Sequence, residues 1–159
     1  MNCGCYSIPG LGRRKQEVLA AGGASFLASA MLETDRLDTN YPYGDNKVGD
    51  SFNAGIAKQN WFLSKQCWAP WRGMQPSQYR TMDEMNRDLS LDAAVYAACI
   101  NKFGLRRFMA AHRNGETGFN QPNTFDIDRF IRGFEWTKQQ LENGHLDDDL
   151  RFWVSLPAI

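Results

Sequence analysis

Histidine is scarce in this 159-residue chain: only His112 and His145 occur, which excludes a histidine-rich metal centre. Four cysteines are equally unhelpful for zinc, because Cys3 and Cys5 do not combine with Cys67 and Cys99 in any zinc-ligand spacing. No run approaches the about 18 consecutive apolar residues that span a bilayer, so no membrane partner is expected. Charge of neither sign accumulates. The 18 basic and 18 acidic residues cancel, the longest basic run is Arg13-Arg14-Lys15, and nothing would attract a polyanion such as nucleic acid. Also missing are a G-x-S-x-G elbow, a G-x-x-x-x-G-K-[ST] phosphate loop, H-E-x-x-H and G-x-G-x-x-G. Met1 to Gly10 lacks the charged-then-apolar order of a signal peptide, so the protein is expected to be cytosolic or to have lost a leader. An even cysteine count leans toward an oxidising compartment. Cys67 with Cys99 is the preferred bridge, two buried free thiols being the alternative, and Cys3 and Cys5 lie too close in sequence to join easily.

What the chain has is one domain's length, 1–159, and abundant aromatics, 13% of residues. Many fall in Gly- or Pro-rich stretches such as Tyr41-Pro42-Tyr43-Gly44 and Trp68-Ala69-Pro70-Trp71, where a ring can stack on a sugar face or simply cover the core. Helical spacing runs from Arg13 to about Leu32 through Leu19, Phe26, Leu27, Ala30 and Met31, with Gly22-Gly23 weakening the middle. Glu33 to Gly49 is polar and without helical period, and reads as a loop or short hairpin. Asp50 in Gly49-Asp50-Ser51 is expected to cap a second helix running to about Gln66. Trp68 to Tyr79 reads as loop, followed by helical pieces at Met82 to Asp88 and Leu91 to Phe103, a break at Gly104, and a short helix near Leu105 to Ala111. His112 to Gly118 is turn-rich. Asn123 or Thr124 caps the last long helix, whose Ile127, Phe130, Ile131, Phe134 and Leu141 form an apolar stripe. Leu150 to Val154 alternates weakly, as a strand or an extended tail would. The expected class is therefore mainly α (α+β), with a small loop or hairpin region between the first two main helices.

Two acidic residues in that region invite a chemical reading. Glu33 ends an apolar helix, where Met31-Leu32 can desolvate it and favour the protonated acid. Asp45 lies in the polar turn Tyr43-Gly44-Asp45-Asn46-Lys47, with Lys47 at hand to favour its ionised form. One neutral and one charged carboxyl are what glycoside hydrolysis needs. Asp35, Asp38 and Asp50 compete as partners, and Glu33 could be an ordinary helix-end residue. A Cys/His nucleophile from Cys67 or Cys99 with His112 is the weaker option.

Several ordered segments resemble glycoside hydrolase family 134, the β-1,4-mannanases with a lysozyme-like fold. They are Met31-Leu32-Glu33-Thr34, Tyr41-Pro42-Tyr43-Gly44-Asp45-Asn46-Lys47-Val48-Gly49-Asp50 and Gly55-Ile56-Ala57-Lys58-Gln59-Asn60-Trp61. Further on come His112-Arg113-Asn114-Gly115, Pro122-Asn123-Thr124-Phe125-Asp126-Ile127 and Asp148-Asp149-Leu150-Arg151-Phe152-Trp153-Val154. The resemblance implies a secreted, endo-acting enzyme that inverts the anomeric centre, with Glu33 as general acid and Asp45 as general base. It implies no metal or organic cofactor. Tyr43, Lys47, Asn60, Trp61, His112, Arg113 and Asn114 would be cleft residues that bind a β-1,4-mannan or mannooligosaccharide. Ser51-Phe52-Asn53-Ala54 and the stretch from Gln66 to Gln78 depart from the family's pattern and bear on subsite preference. A monomer is expected. The alternatives are a lysozyme-like hydrolase of chitin or peptidoglycan, and a secreted protein that binds a glycan without cutting it.

Overall fold

The structure is a computed structural model that describes residues 2–156. In chain order it comprises β1 (Cys3–Ser7), α1 (Leu11–Glu33), a loop with short 3-10 turns at Tyr43–Asn46 and Gly49–Ser51, β2 (Asn53–Ala54) and β3 (Gln59–Asn60). There follow α2 (Trp61–Cys67), 3-10 segments at Ala69–Trp71 and Pro76–Asn86, α3 (Leu89–Phe103), α4 (Leu105–Asn120), α5 (Phe125–Glu142) and β4 (Leu150–Val154). The class is the expected one: mainly helical, with two small antiparallel sheets, β1 with β4 and β2 with β3.

The long helix α1 buries Val18, Phe26, Leu27, Ala30 and Met31 and packs on α3 and α5. Gly23, at φ 83°, breaks it where the glycine pair weakens it. That cost, about 1 kcal/mol, is small beside roughly 2 kcal/mol for each of the large side chains buried just beyond it. Helix α5 behaves as its stripe requires: Ile127, Phe130, Ile131, Phe134 and Leu141 are all buried, and the Thr124 hydroxyl caps the first turn by accepting from the Ile127 N–H. Asp88 does the same for α3, accepting from Leu91 N–H. The expected Cys67–Cys99 bridge is present and ties α2 to α3, while Cys3 and Cys5 are exposed free thiols. The weakly alternating tail is a strand, paired in register from Cys3 with Val154 to Ser7 with Leu150.

Three expectations are corrected. No helix starts at Asp50; residues 53–60 form a hairpin, and α2 begins at Trp61 under an Asn60 cap whose side-chain oxygen accepts from Leu63 N–H. Phe52 and Ile56 are buried because that hairpin lies on the core, and Asp50 instead pairs with Lys65. The stretch from His112 to Gly118 is not a free turn but the second half of α4, broken at Gly115 with φ 60°. The segment from Pro76 to Asn86, whose first part reads as loop, winds as 3-10 helix with a kink at Gln78.

Candidate active site

The end of α1 delivers Glu33 to a groove whose opposite wall is α4. There His112 Nε2 stands 3.0 Å from Glu33 Oε1. Two phenyl rings hold the imidazole: Phe108 and Phe130 lie nearly parallel to it, each at 17°, with centroids 5.9 and 6.0 Å away. The His112 side chain is almost buried.

Asp45 reaches the same groove by unusual backbone. Gly44, Asp45 and Asn46 have φ of 64°, 61° and 60°, three consecutive left-handed residues. Each non-glycine member costs about 1 kcal/mol or more, so the surroundings must impose the conformation. They do: Asp45 N–H donates to Pro42 O at 2.7 Å and Lys47 N–H to Gly44 O at 3.1 Å. Gly44 lies so tightly on the buried Phe52 ring that a Cβ would stand 2.3 Å from it. The carboxylate is held by Lys58 Nζ, 3.3 and 3.4 Å from its two oxygens, and by Asn53 Nδ2 at 3.3 Å. The counter-ion is thus Lys58 from the β2–β3 turn, not the neighbouring Lys47 on which the sequence reading relied.

Glu33 and Asp45 share the walls of a cavity of about 180 Å³ with Lys47, Asn53, Lys58, His112, Arg113 and Phe130. Glu33 and Lys58 also line a hollow of about 290 Å³ with Asp35, Asp38 and Tyr41. On the other side Lys47, Asn53, His112 and Arg113 pass into one of about 630 Å³, which Asn60, Phe62 and Asn114 help to line. Shared walls make the three one groove, with both carboxyls in the middle.

The remaining expected cleft residues divide. Lys47, Asn60, His112, Arg113 and Asn114 line the groove. Arg113 and Asn114 both bond Asp126, whose carboxyl is held below the usual range chiefly by the Arg113 guanidinium. Asn60 faces the groove while capping α2 and donating to Ala111 O at 2.9 Å. Tyr43 is about half exposed, donates to Asp83 at 2.6 Å and lies under Arg80, but lines none of the three hollows. Trp61 is a correction: it is fully buried against Trp71, with its indole N–H on Gln75 O, and offers no face to a ligand. Among the competing acids, Asp35 and Asp38 line the smaller outer hollow, and Asp35 is bonded by Tyr6.

Lys58, Asn53 and Phe130 also line the groove without a local sequence signal for it; helical spacing across Phe52, Ile56 and Leu63 conceals the approach of Lys58 to Asp45.

The model of glycosyl hydrolase family 134 matches residues 12–156. The chain belongs to that family. It is therefore a glycoside hydrolase, which points to a polysaccharide as its class of substrate. No curated protein matches the chain. Glu33, Asp45 and His112 cluster in one groove of this chain.

Proposed function

We propose that the protein is a secreted, endo-acting, inverting β-1,4-mannanase with Glu33 as general acid and Asp45 as general base. The observation that carries this reading is the placement of both carboxyls in the central compartment of a groove that continues on either side. A polymer lying along such a groove is cut in its middle. The Cys67–Cys99 bridge supports a life outside the reducing cytosol.

Glu33 donates its proton to the glycosidic oxygen as the bond to C1 breaks. Asp45 takes a proton from a water whose oxygen attacks C1 from the opposite face, leaving a hemiacetal of inverted configuration. The central cavity that Glu33 and Asp45 share, about 180 Å³, is larger than the about 30 Å³ a water occupies in the liquid. Lys58 Nζ, 3.3 and 3.4 Å from the two Asp45 oxygens, fixes the orientation of the base. His112 fixes the acid's orientation and offers a route by which its proton is replaced after each turnover.

Reducing-end release from β-1,4-mannan, chitin and peptidoglycan tests the reading. Mannan is expected to be cut and the other two spared, with Glu33→Gln and Asp45→Asn each losing at least about a hundredfold. Near wild-type cleavage by Glu33→Gln would remove the acid, and preference for an N-acetylated polymer would remove the mannanase.

A further inference from the structure

Asp92, in the first turn of α3, is fully buried, and no cation among the described residues forms an ion pair with it. Burying a carboxyl without a counter-ion is costly, so its contacts should reveal what it does. All are to one element. Oδ2 accepts the Ile56 N–H at 2.7 Å, and Oδ1 accepts Gln59 Nε2 at 2.7 Å. Gly55 lies so close that a Cβ there would stand 2.3 Å from Oδ1. Other side chains hold the same turn: Asn86 accepts Gly55 N–H at 2.8 Å, Tyr41 donates to Gly55 O at 2.6 Å, and Thr34 donates to Ile56 O at 3.0 Å.

The turn needs this help. Strands β2 and β3 pair through only two residues each, too little to hold a hairpin unaided. Yet its last residue, Lys58, at φ 49°, must put its ammonium on both oxygens of Asp45. We propose that Asp92 is a positioning residue for the base: it locks the Gly55–Lys58 turn from beneath, and through Lys58 it sets the orientation and readiness of Asp45. The proposal rests on Asp45 being the base.

The lock has a proton of its own. Burial pushes the Asp92 carboxyl up to about 7, against the lowering effects of its bonds from Ile56 and Gln59 and of the Arg14 charge from α1. The only other titratable group facing it among the described residues is Tyr41, which burial and the Asp92 charge keep neutral. Gln59 Oε1 is buried without a partner. The Nε2 of that side chain is fixed by a second bond to the Asp92 backbone O at 2.9 Å, so the amide is held in one orientation against the carboxyl.

Steady-state kinetics on linear mannohexaose decide the matter, with wild type, Asp92→Asn, Lys58→Met, their double variant and Asn86→Ala compared, and thermal midpoints taken alongside. Asp92→Asn is expected to lower kcat about tenfold with KM within about twofold. It should also flatten the pH dependence of kcat near neutrality. In the Lys58→Met background it should change kcat by less than about twofold, because the route through Lys58 is already cut. Fully additive losses, or wild-type kcat in Asp92→Asn, would overturn the proposal. Should Asp92→Asn fail to fold, Asn86→Ala, which frees the Gly55 N–H of the same turn, takes its place in the cycle with the same criteria. Asp45→Asn run beside them separates two failures. An active Asp45→Asn overturns base and lock together, whereas an inactive one beside additive Asp92 and Lys58 losses overturns the lock alone.

Discussion

Replacing both Cys67 and Cys99 by alanine removes the one covalent tie between α2, which Asn60 caps beside the groove, and α3, which carries Asp92. The bridged residues are 32 apart in sequence. Closing a loop of that length withdraws about 12 cal/mol/K from the unfolded chain, or about 3.7 kcal/mol at 25 °C. A chain of 159 residues has an unfolding entropy near 330 cal/mol/K, from about 2.1 cal/mol/K per residue, so the thermal midpoint should fall by about 11 °C. Alanine is the right replacement because both sites are buried and a serine hydroxyl would add its own desolvation cost. Circular dichroism melts of the oxidised wild type, the reduced wild type and the double variant measure the effect. The last two should coincide well below the first, with turnover at 25 °C largely retained. A double variant melting within about 2 °C of wild type would refute the reasoning, because the constraint would then be worth less than about 1 kcal/mol.

His112→Phe keeps a ring between Phe108 and Phe130 but cannot bond Glu33. If Glu33 is the acid proposed above, losing that hydrogen bond should lower kcat about 10- to 100-fold with KM little changed, which initial rates on mannohexaose would show. Gly44→Ala forces a Cβ into Phe52 and a side chain into φ 64°. A loss of about 2–4 kcal/mol in urea unfolding is expected, with activity falling because Asp45 moves. Asp148 is a third case: burial pushes its carboxyl up, but hydrogen bonds from His145, Lys15 and Leu150 outweigh it and bring it to about 2. Because the folded value lies below the unfolded one, the ionised form stabilises the fold above about pH 4, and that stability is lost as pH falls toward 2. With just over a third of the side chain exposed, the effect is discounted to about 1 kcal/mol. Asp148→Asn should be less stable at pH 7, where it leaves the buried Lys15 without its counter-ion, and should lose less on going from pH 4 to 2. Urea midpoints across that range check both.

The long helices were legible because a single apolar stripe and a capping side chain agreed, as with Thr124 and the row from Ile127 to Leu141. The segment from Asp50 to Asn60 was not. Phe52, Ile56 and Leu63 carry helical spacing by coincidence: Phe52 precedes and Ile56 belongs to a hairpin that side chains from elsewhere hold on the core, and only Leu63 is in a helix. Nothing local in Gly55-Ile56-Ala57-Lys58 reveals that Asp92, Asn86, Tyr41 and Thr34 fix its backbone. Lys58 was hidden for the same reason, and the nearer Lys47 took its place as counter-ion. Strand β1 gave no signal of its own, because its partner β4 lies nearly the whole chain away. Trp61 misled in another way: in a polar motif a tryptophan looks like a sugar platform, while here it fills the core beside Trp71. Glu33 was legible as a helix-end acid, but its partner His112 comes from a residue 79 positions on.

The most direct measurement is proton NMR of the first products released from mannohexaose, recorded before mutarotation scrambles the anomers. With Asp45 activating water opposite Glu33, the newly formed reducing ends should appear first as the α-anomer and equilibrate toward β afterwards. An initial β-anomer would mean a covalent intermediate and a nucleophilic carboxylate, and no release at all would mean that this groove does not cut mannan.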